Sequence, residues 1–179
     1  MLPGMPTGEV REGYELWRPN REKASAITTK AVMTLLLLAT AGLCLVITIG
    51  GLSLLEGGAG MAFVCFIYVA LYVFFAIRVA QWSRGALPVS AALSILLLIF
   101  AAVAAPSWFA RDKSGFDDAA LPEPLLGTLL VLMIPLQVVV IAVAMIAFNQ
   151  DWHVEEERPI GQRDDFDAPP HDERSAQPA

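Results

Sequence analysis

Hydrophobic residues in this chain fall into four long runs without any charged side chain, and a charged residue flanks each run on either side. A transmembrane helix needs about 20 mostly apolar residues, because the hydrocarbon core of a bilayer is roughly 30 Å thick. All four runs reach that length: Ala31–Leu55, Gly57–Ile77, Gly85–Ala110 and Pro124–Gln150. The pattern predicts an all-α membrane protein, a four-transmembrane-helix antiparallel bundle with short loops and helices at about 31–55, 59–80, 87–110 and 124–149.

The remainder of the chain is polar and too short for a folded soluble domain. Hydrophobic residues make up 56% of the sequence, and a soluble core of this size could not bury four such runs. We predict a polar cytoplasmic segment over residues 1–20, a transmembrane domain over 21–150 and a cytoplasmic tail over 151–179. Asn20 is suited to cap a helix that begins at Arg21 and continues into the first span.

The net charge of −6 resides in the tail. Residues 1–148 hold nine Lys/Arg and nine Asp/Glu, whereas residues 149–179 hold three Arg and nine Asp/Glu. From about Arg158 the tail is too poor in apolar residues to fold, so an acidic, disordered tail is predicted. Anionic headgroups repel the acidic run Glu155–Glu157. This run either keeps the tail soluble or docks a basic partner.

The distribution of Lys and Arg predicts the topology. The N-terminal segment, the second loop and the tail together hold ten of these residues, and the third loop holds two. The positive-inside rule therefore places both termini in the cytoplasm, with Glu56–Gly60 and Arg111–Glu123 outside. Arg outnumbers Lys, and Ala, Gly and Pro are abundant, which is typical of a GC-rich bacterial genome. We expect a multi-pass protein of the bacterial plasma (inner) membrane.

The four tryptophans all fall at or just beyond the ends of the predicted helices, and none falls in the middle. Tryptophan is enriched where the ring can sit at headgroup level. The sequence therefore predicts interfacial anchors at Trp17, Trp82, Trp108 and Trp152.

Gln137 is the most polar side chain near the middle of any span, and it follows Pro135 by two residues. A proline inside a helix removes one backbone hydrogen bond and frees the carbonyl one turn earlier, near Val131. Two interpretations follow. Gln137 either bridges to a Ser or Thr of a neighbouring helix, which we favour, or lines a polar pathway along a kinked helix.

Several chemistries find no support in the sequence. No ionisable Asp, Glu, Lys or Arg lies within a span, although such residues are the usual mark of proton-coupled or ion-coupled transport. The chain has no nucleotide-binding or hydrolase motif and no intramembrane histidine. His153 and His171 are too few ligands for a metal, and Cys44 and Cys65 lie at unequal predicted depths, which disfavours a disulfide. We expect no cofactor, no metal and no nucleic-acid partner.

Three functional hypotheses follow. The first is a non-catalytic protein that acts as an accessory or assembly subunit of a larger membrane complex, with a membrane-protein partner or a second copy beside it in the lipid bilayer. The second is a small oligomeric pore or facilitator for a small solute, with Pro135 and Gln137 at its gate. The third is an enzyme that works through outer-loop charges at Arg111–Asp118, which are more simply a solvated turn.

Overall fold

The structure is a computed structural model that describes residues 13–55, 58–109 and 119–160. It divides into two compact units. The helical unit covers Pro19–Val154, and the sheet unit combines Met1–Arg18 with Glu155–Ala179, of which residues 13–18 and 155–160 are described.

In its described residues, the helical unit contains one short helix and four long ones. The short helix is α1 (Pro19–Glu22), and the long ones are α2 (Ala24–Gly50), α3 (Gly58–Ala80), α4 (Ala86–Phe109) and α5 (Glu123–Phe148). A 3-10 turn over Leu52–Leu54 follows α2. The four long helices are long and apolar enough to cross a membrane, which confirms the number of predicted spans.

The largest difference from the predicted boundaries concerns the first span. We predicted one helix from Arg21 to Leu55, but α2 begins at Ala24 and ends at Gly50. Lys23 precedes it with an extended backbone (ψ 130°). Asn20 does not cap this helix, because it lies inside α1 and its amide oxygen accepts from Lys23 Nζ (2.7 Å). Its amide nitrogen donates to the carbonyl oxygen of Asp151, 131 residues away in the chain (3.1 Å).

The long helices pack as two pairs joined by a third contact. Helix α4 packs extensively on α5, α3 packs on α2, and α2 packs on α5, whereas α3 and α4 touch much less. Two contacts define the two ends of the helical unit. At one end, Lys30 near the start of α2 lies over the Trp82 ring just after α3 (4.1 Å). We call it the Arg84 end, after the arginine in the turn between α3 and α4. The N–H of Leu121 donates to Gly50 O (3.1 Å) at the opposite end, which we call the Trp108 end.

Trp82 closes α3 in a conformation that usually belongs to glycine. Its φ is +63°, and its N–H donates to Val79 O (2.9 Å) while Ser83 N–H donates to Arg78 O (3.0 Å). This hydrogen-bond pattern is the Schellman motif, in which the left-handed residue ends the helix and satisfies its last carbonyls. The motif turns the chain into α4 within residues 81–85.

The sheet unit is a finding that the sequence did not predict. Strand β1 (Tyr14–Trp17) pairs antiparallel with β2 (Glu156–Pro159), with Glu15 opposite Arg158. The guanidinium of Arg158 donates to Glu15 (2.7 Å) and lies over the Trp17 ring (5.2 Å). Arg18 pairs with Glu155 at the other end of the ladder.

The prediction of disorder from Arg158 is therefore wrong for residues 158–160. Arg158 and Pro159 belong to β2, and the N–H of Ile160 donates to Gly13 O (2.9 Å). The composition of the tail is indeed too polar for a core, but strand pairing and cross-strand ion pairs do not need one. The rest of the predicted tail, residues 161–179, lies outside the described residues, as do residues 1–12 and the outer-loop charges at 111–118.

Candidate functional site: a buried polar network

Gln137 lies at the centre of a hydrogen-bond network inside the helical unit. Its side chain is fully buried. Its amide nitrogen donates to Thr40 Oγ1 in α2 (3.3 Å) and approaches Met133 Sδ one turn earlier in α5 (3.1 Å). Its amide oxygen accepts a hydrogen bond from the Tyr72 hydroxyl in α3 (2.9 Å).

Ser94 in α4 completes the network. Its Oγ lies 3.2 Å from the Tyr72 hydroxyl oxygen. Because the single Tyr72 proton goes to Gln137, Ser94 donates to Tyr72. Thr40 donates its own proton to Leu36 O (2.9 Å), which leaves its oxygen free to accept from Gln137. Each of the four long helices thus contributes at least one buried side chain to the network.

Apolar packing encloses this polar layer on both sides. On α5, Gln137 falls between Met133, which belongs to the apolar cluster at the Trp108 end, and Val140, which belongs to the cluster at the Arg84 end. On α4, Ser94 falls between Ala91 and Ala101 of the same two clusters. A polar group among apolar side chains is costly unless it is paired, so the partners have to meet in one register.

The network consists of hydroxyl, amide and thioether groups. Within the described ranges, no carboxylate or imidazole contacts the Thr40 or Ser94 hydroxyl that could activate it as a nucleophile. No group of three His, Cys, Asp or Glu side chains among those residues is placed to hold a metal ion, and both cysteines are free thiols. The arrangement can therefore join helices by hydrogen bonds.

Sequence reasoning found Gln137 but missed Thr40, Tyr72 and Ser94. One signal was present. Tyr72 lies eight residues before the end of α3 at Ala80, and Ser94 lies eight residues after the start of α4 at Ala86. In a tight helical hairpin, this equal spacing puts both side chains about 12 Å from the turn at 1.5 Å per residue.

The structure does not bring Pro135 together with Gln137. Pro135 is exposed on the outer surface of α5, whereas Gln137 is buried. Two residues correspond to about 200° of rotation around a helix, so the two side chains lie on opposite faces. A pathway lined by both residues within one copy of the chain does not fit this placement.

Two of the four predicted tryptophan anchors have their rings inside the protein. Trp108 and Trp152 are only 4% and 1% exposed. Trp108 packs on Gly51, and the indole N–H of Trp152 donates to Gln150 (3.0 Å). An interfacial ring needs access to headgroups, so these two residues act as packing residues. The helix-end position, which suggested an anchor, equally suits a ring that seals the end of the core.

The other two tryptophans are half-buried. Two cations lie over the Trp82 ring, Lys30 Nζ at 4.1 Å and the Arg21 guanidinium at 5.6 Å. The Trp82 ring also packs edge-on against the Trp152 ring (5.2 Å). Trp17 belongs to the sheet unit, where Arg158 lies over it.

Charged residues at the Arg84 end join the turn after α3 to the chain after α5. Arg84 pairs with the Asp151 carboxylate (3.0 Å), contacts the His153 ring (3.0 Å) and lies over the Phe148 ring (4.2 Å). Asp151 itself has a left-handed backbone with φ +48°. His153 therefore faces a cation rather than the acidic residues beside it in sequence.

No protein family, curated protein or solved structure matches this chain.

Proposed function

We propose that this protein is a non-catalytic integral membrane protein that serves as an accessory or assembly subunit of a larger membrane complex. The observation that carries the proposal is the closed network around Gln137. This residue is the most polar side chain in the middle of the spans, and its amide groups bond to side chains of the same copy. Its side chain is fully buried, so neither amide group is placed to meet a solute or a substrate.

The proposal includes a topology. The four long helices form an antiparallel bundle in the plasma membrane of a bacterium, with the Arg84 end and both termini in the cytoplasm. The contacts of Lys30 with Trp82 and of Leu121 with Gly50 support opposite directions for adjacent helices. The ten-to-two distribution of Lys and Arg supports the cytoplasmic placement of the Arg84 end.

Co-purification tests this function. The full chain, tagged at its C-terminus, is extracted from its native membrane in a mild detergent and analysed by size exclusion and mass spectrometry. We expect a different membrane protein in stoichiometric amount. An unrelated four-span protein with the same tag, expressed at the same level, controls for adventitious association. A second sample that ends at Ile160 reports whether the acidic residues 161–179 hold the partner.

Two outcomes would contradict the proposal. A chain that elutes alone as a monomer in every mild detergent is not a subunit of a complex. A pure homo-oligomer that conducts a small solute in liposomes would instead establish the pore hypothesis, with the path between copies rather than through one. The exposed position of Pro135 is compatible with that second outcome, although nothing about the Gln137 network favours it.

A further inference from the structure

A polar cavity opens at the Arg84 end of the helical unit, between the start of α2 and the end of α5. Its volume is about 330 Å³. Lys23 and Ser25 line one side, and Asn149 with Gln150 lines the other. All of these residues belong to the helical unit, so the cavity forms within one compact part of the structure.

Hydrogen bonds fix the walls of this cavity. Asn20 donates to Asp151 O (3.1 Å) and accepts from Lys23 Nζ (2.7 Å). Gln150 donates to Thr29 Oγ1 (2.9 Å), which ties the end of α5 to the first turns of α2. The Asp151 carboxylate is paired with Arg84 (3.0 Å). The site is therefore held in shape by contacts between residues far apart in the chain.

Three hydrogen-bond donors along the cavity remain available. Lys23 carries three N–H groups and donates one of them to Asn20 Oδ1. Neither the Ser25 hydroxyl nor the side-chain amide of Asn149 makes a hydrogen bond to another part of the chain that the structure describes. An ammonium with two neutral donors is a set that suits a phosphate oxygen, since lysine binds phosphate as a point charge.

An apolar surface begins one helical turn away from these donors. Ile27, four residues after Lys23, is 48% exposed, and Met145, four residues before Asn149, is 60% exposed. Residues four apart lie on one face of a helix, so the polar cavity borders apolar side chains that face away from the core. A phospholipid has the same order of chemistry, with a phosphate headgroup next to acyl chains.

We propose that this cavity binds the phosphate headgroup of an anionic phospholipid of the cytoplasmic leaflet. This inference depends on the membrane placement in the proposed function. Arg21 and Lys30 add positive charge at the same end of the helical unit, where both lie over the Trp82 ring, and the negative surface of that leaflet attracts such cations. The acyl chains would lie along the surface that carries Ile27 and Met145.

Lipid binding to the full chain tests the inference. Protein freed of lipid in a mild detergent receives phosphatidylglycerol or phosphatidylcholine, and bound lipid is counted by native mass spectrometry. We expect phosphatidylglycerol to bind preferentially and to raise the melting temperature. Lys23→Gln should weaken its binding about fivefold, because one cation near the headgroup is lost. Arg78→Gln is the matched control, since Arg78 is an exposed cation near the end of α3 that does not line the cavity.

If Lys23→Gln and Arg78→Gln weaken phosphatidylglycerol binding equally, the inference is overturned, because binding would then follow the overall charge. Inorganic phosphate that stabilises the wild type as much as the lipid does, and that depends on Lys23, would show a free-anion site instead. If the Lys23→Gln protein no longer melts cooperatively, a double variant with Ser25→Ala and Asn149→Ala is used in its place. We expect the same loss of phosphatidylglycerol binding in that variant.

The two proposals fail separately. A protein that does not remain with the membrane fraction refutes the membrane placement. A protein that co-purifies with its partner from membranes, but binds both lipids alike, refutes the headgroup site alone.

Discussion

At the scale of single residues, the Gln137 side chain contacts α2, α3 and its own helix α5. Hydrogen bonds between transmembrane helices are worth about 0.6 kcal/mol on average, with values up to about 1.7 kcal/mol. The Gln137 amide bonds to α2 and α3 as well as to its own helix. Its contribution to the free energy of unfolding is therefore the sum of several modest contacts.

Gln137→Leu should destabilise the protein by about 1–2 kcal/mol, because the hydrogen bonds to Thr40 and Tyr72 are lost while leucine fits an apolar core. The cost stays modest, since Tyr72 can donate to Ser94 instead and Thr40 keeps its bond to Leu36. Reversible unfolding in mixed micelles measures the change, and complex composition should stay as in wild type.

A double-mutant cycle that combines Gln137→Leu with Tyr72→Phe measures the energy of the hydrogen bond between these two side chains. We expect a coupling energy of about 0.5 kcal/mol or more between positions 72 and 137. Pairing Gln137→Leu with Thr128→Val, at an exposed threonine that bonds only within α5, should give additive effects. Additive effects at 72 and 137 as well would show that the Tyr72–Gln137 bond adds nothing to stability.

At the scale of elements, the end of α2 is shaped by close approach of an aromatic ring. A Cβ added at Gly51 would lie 2.4 Å from Trp108 Cη2, and one at Gly50 would lie 2.5 Å from Leu121 Cδ1. The two glycines therefore let the end of α4 and the chain before α5 close over the end of α2. The sequence shows both glycines, but the ring that packs on Gly51 belongs to a residue 57 positions further on (108 − 51).

Gly51→Ala should destabilise the protein by about 1–3 kcal/mol, because the buried Trp108 ring has to shift. Gly42→Ala is the control, since a Cβ there meets nothing within 4 Å. In the middle of α2, that change should leave stability unchanged or raise it by up to about 1 kcal/mol. Melting of both variants in one detergent compares them, and a Gly51→Ala protein as stable as Gly42→Ala would refute the packing of Trp108 on this turn.

The strand pair gives a second prediction at this scale. Truncation after Val154 removes β2, so the amides of β1 should lose their protection against hydrogen exchange. Truncation after Ile160 keeps β2 and should preserve that protection. A two-stranded sheet is marginally stable, so the protection is expected to be small even in the full chain. Equal exchange of Tyr14–Trp17 in both truncated proteins would argue against the pairing.

At the scale of the whole molecule, the proposed topology predicts which positions face the outside. Single cysteines at Gly58 and Ser114 should react with an impermeant thiol reagent in intact cells, whereas cysteines at Ser83 and Ser175 should react only after permeabilisation. The background lacks Cys44 and Cys65. Reaction at positions 83 and 175 with protection at 58 and 114 would reverse the orientation that we infer from the charges.

The sequence by itself determined the four long helices that are apolar enough to cross a membrane. A run of apolar residues can be a helix in lipid regardless of its neighbours, since every backbone hydrogen bond of a helix is made within the segment. The boundaries of α3, α4 and α5 follow from charged residues and turns within a few positions, which is why local pattern located them to within about one or two residues.

Only the tertiary structure decided which side chains meet. The Gln137 network, the burial of Trp108 and Trp152, and the pairing of β1 with β2 all join residues that are tens of positions apart. Composition cannot reveal such contacts, because a buried hydroxyl and an exposed one look alike in sequence. The contact of Asn20 with Asp151, in the chain after α5, is of the same kind, and the local sequence around Asn20 did not predict it.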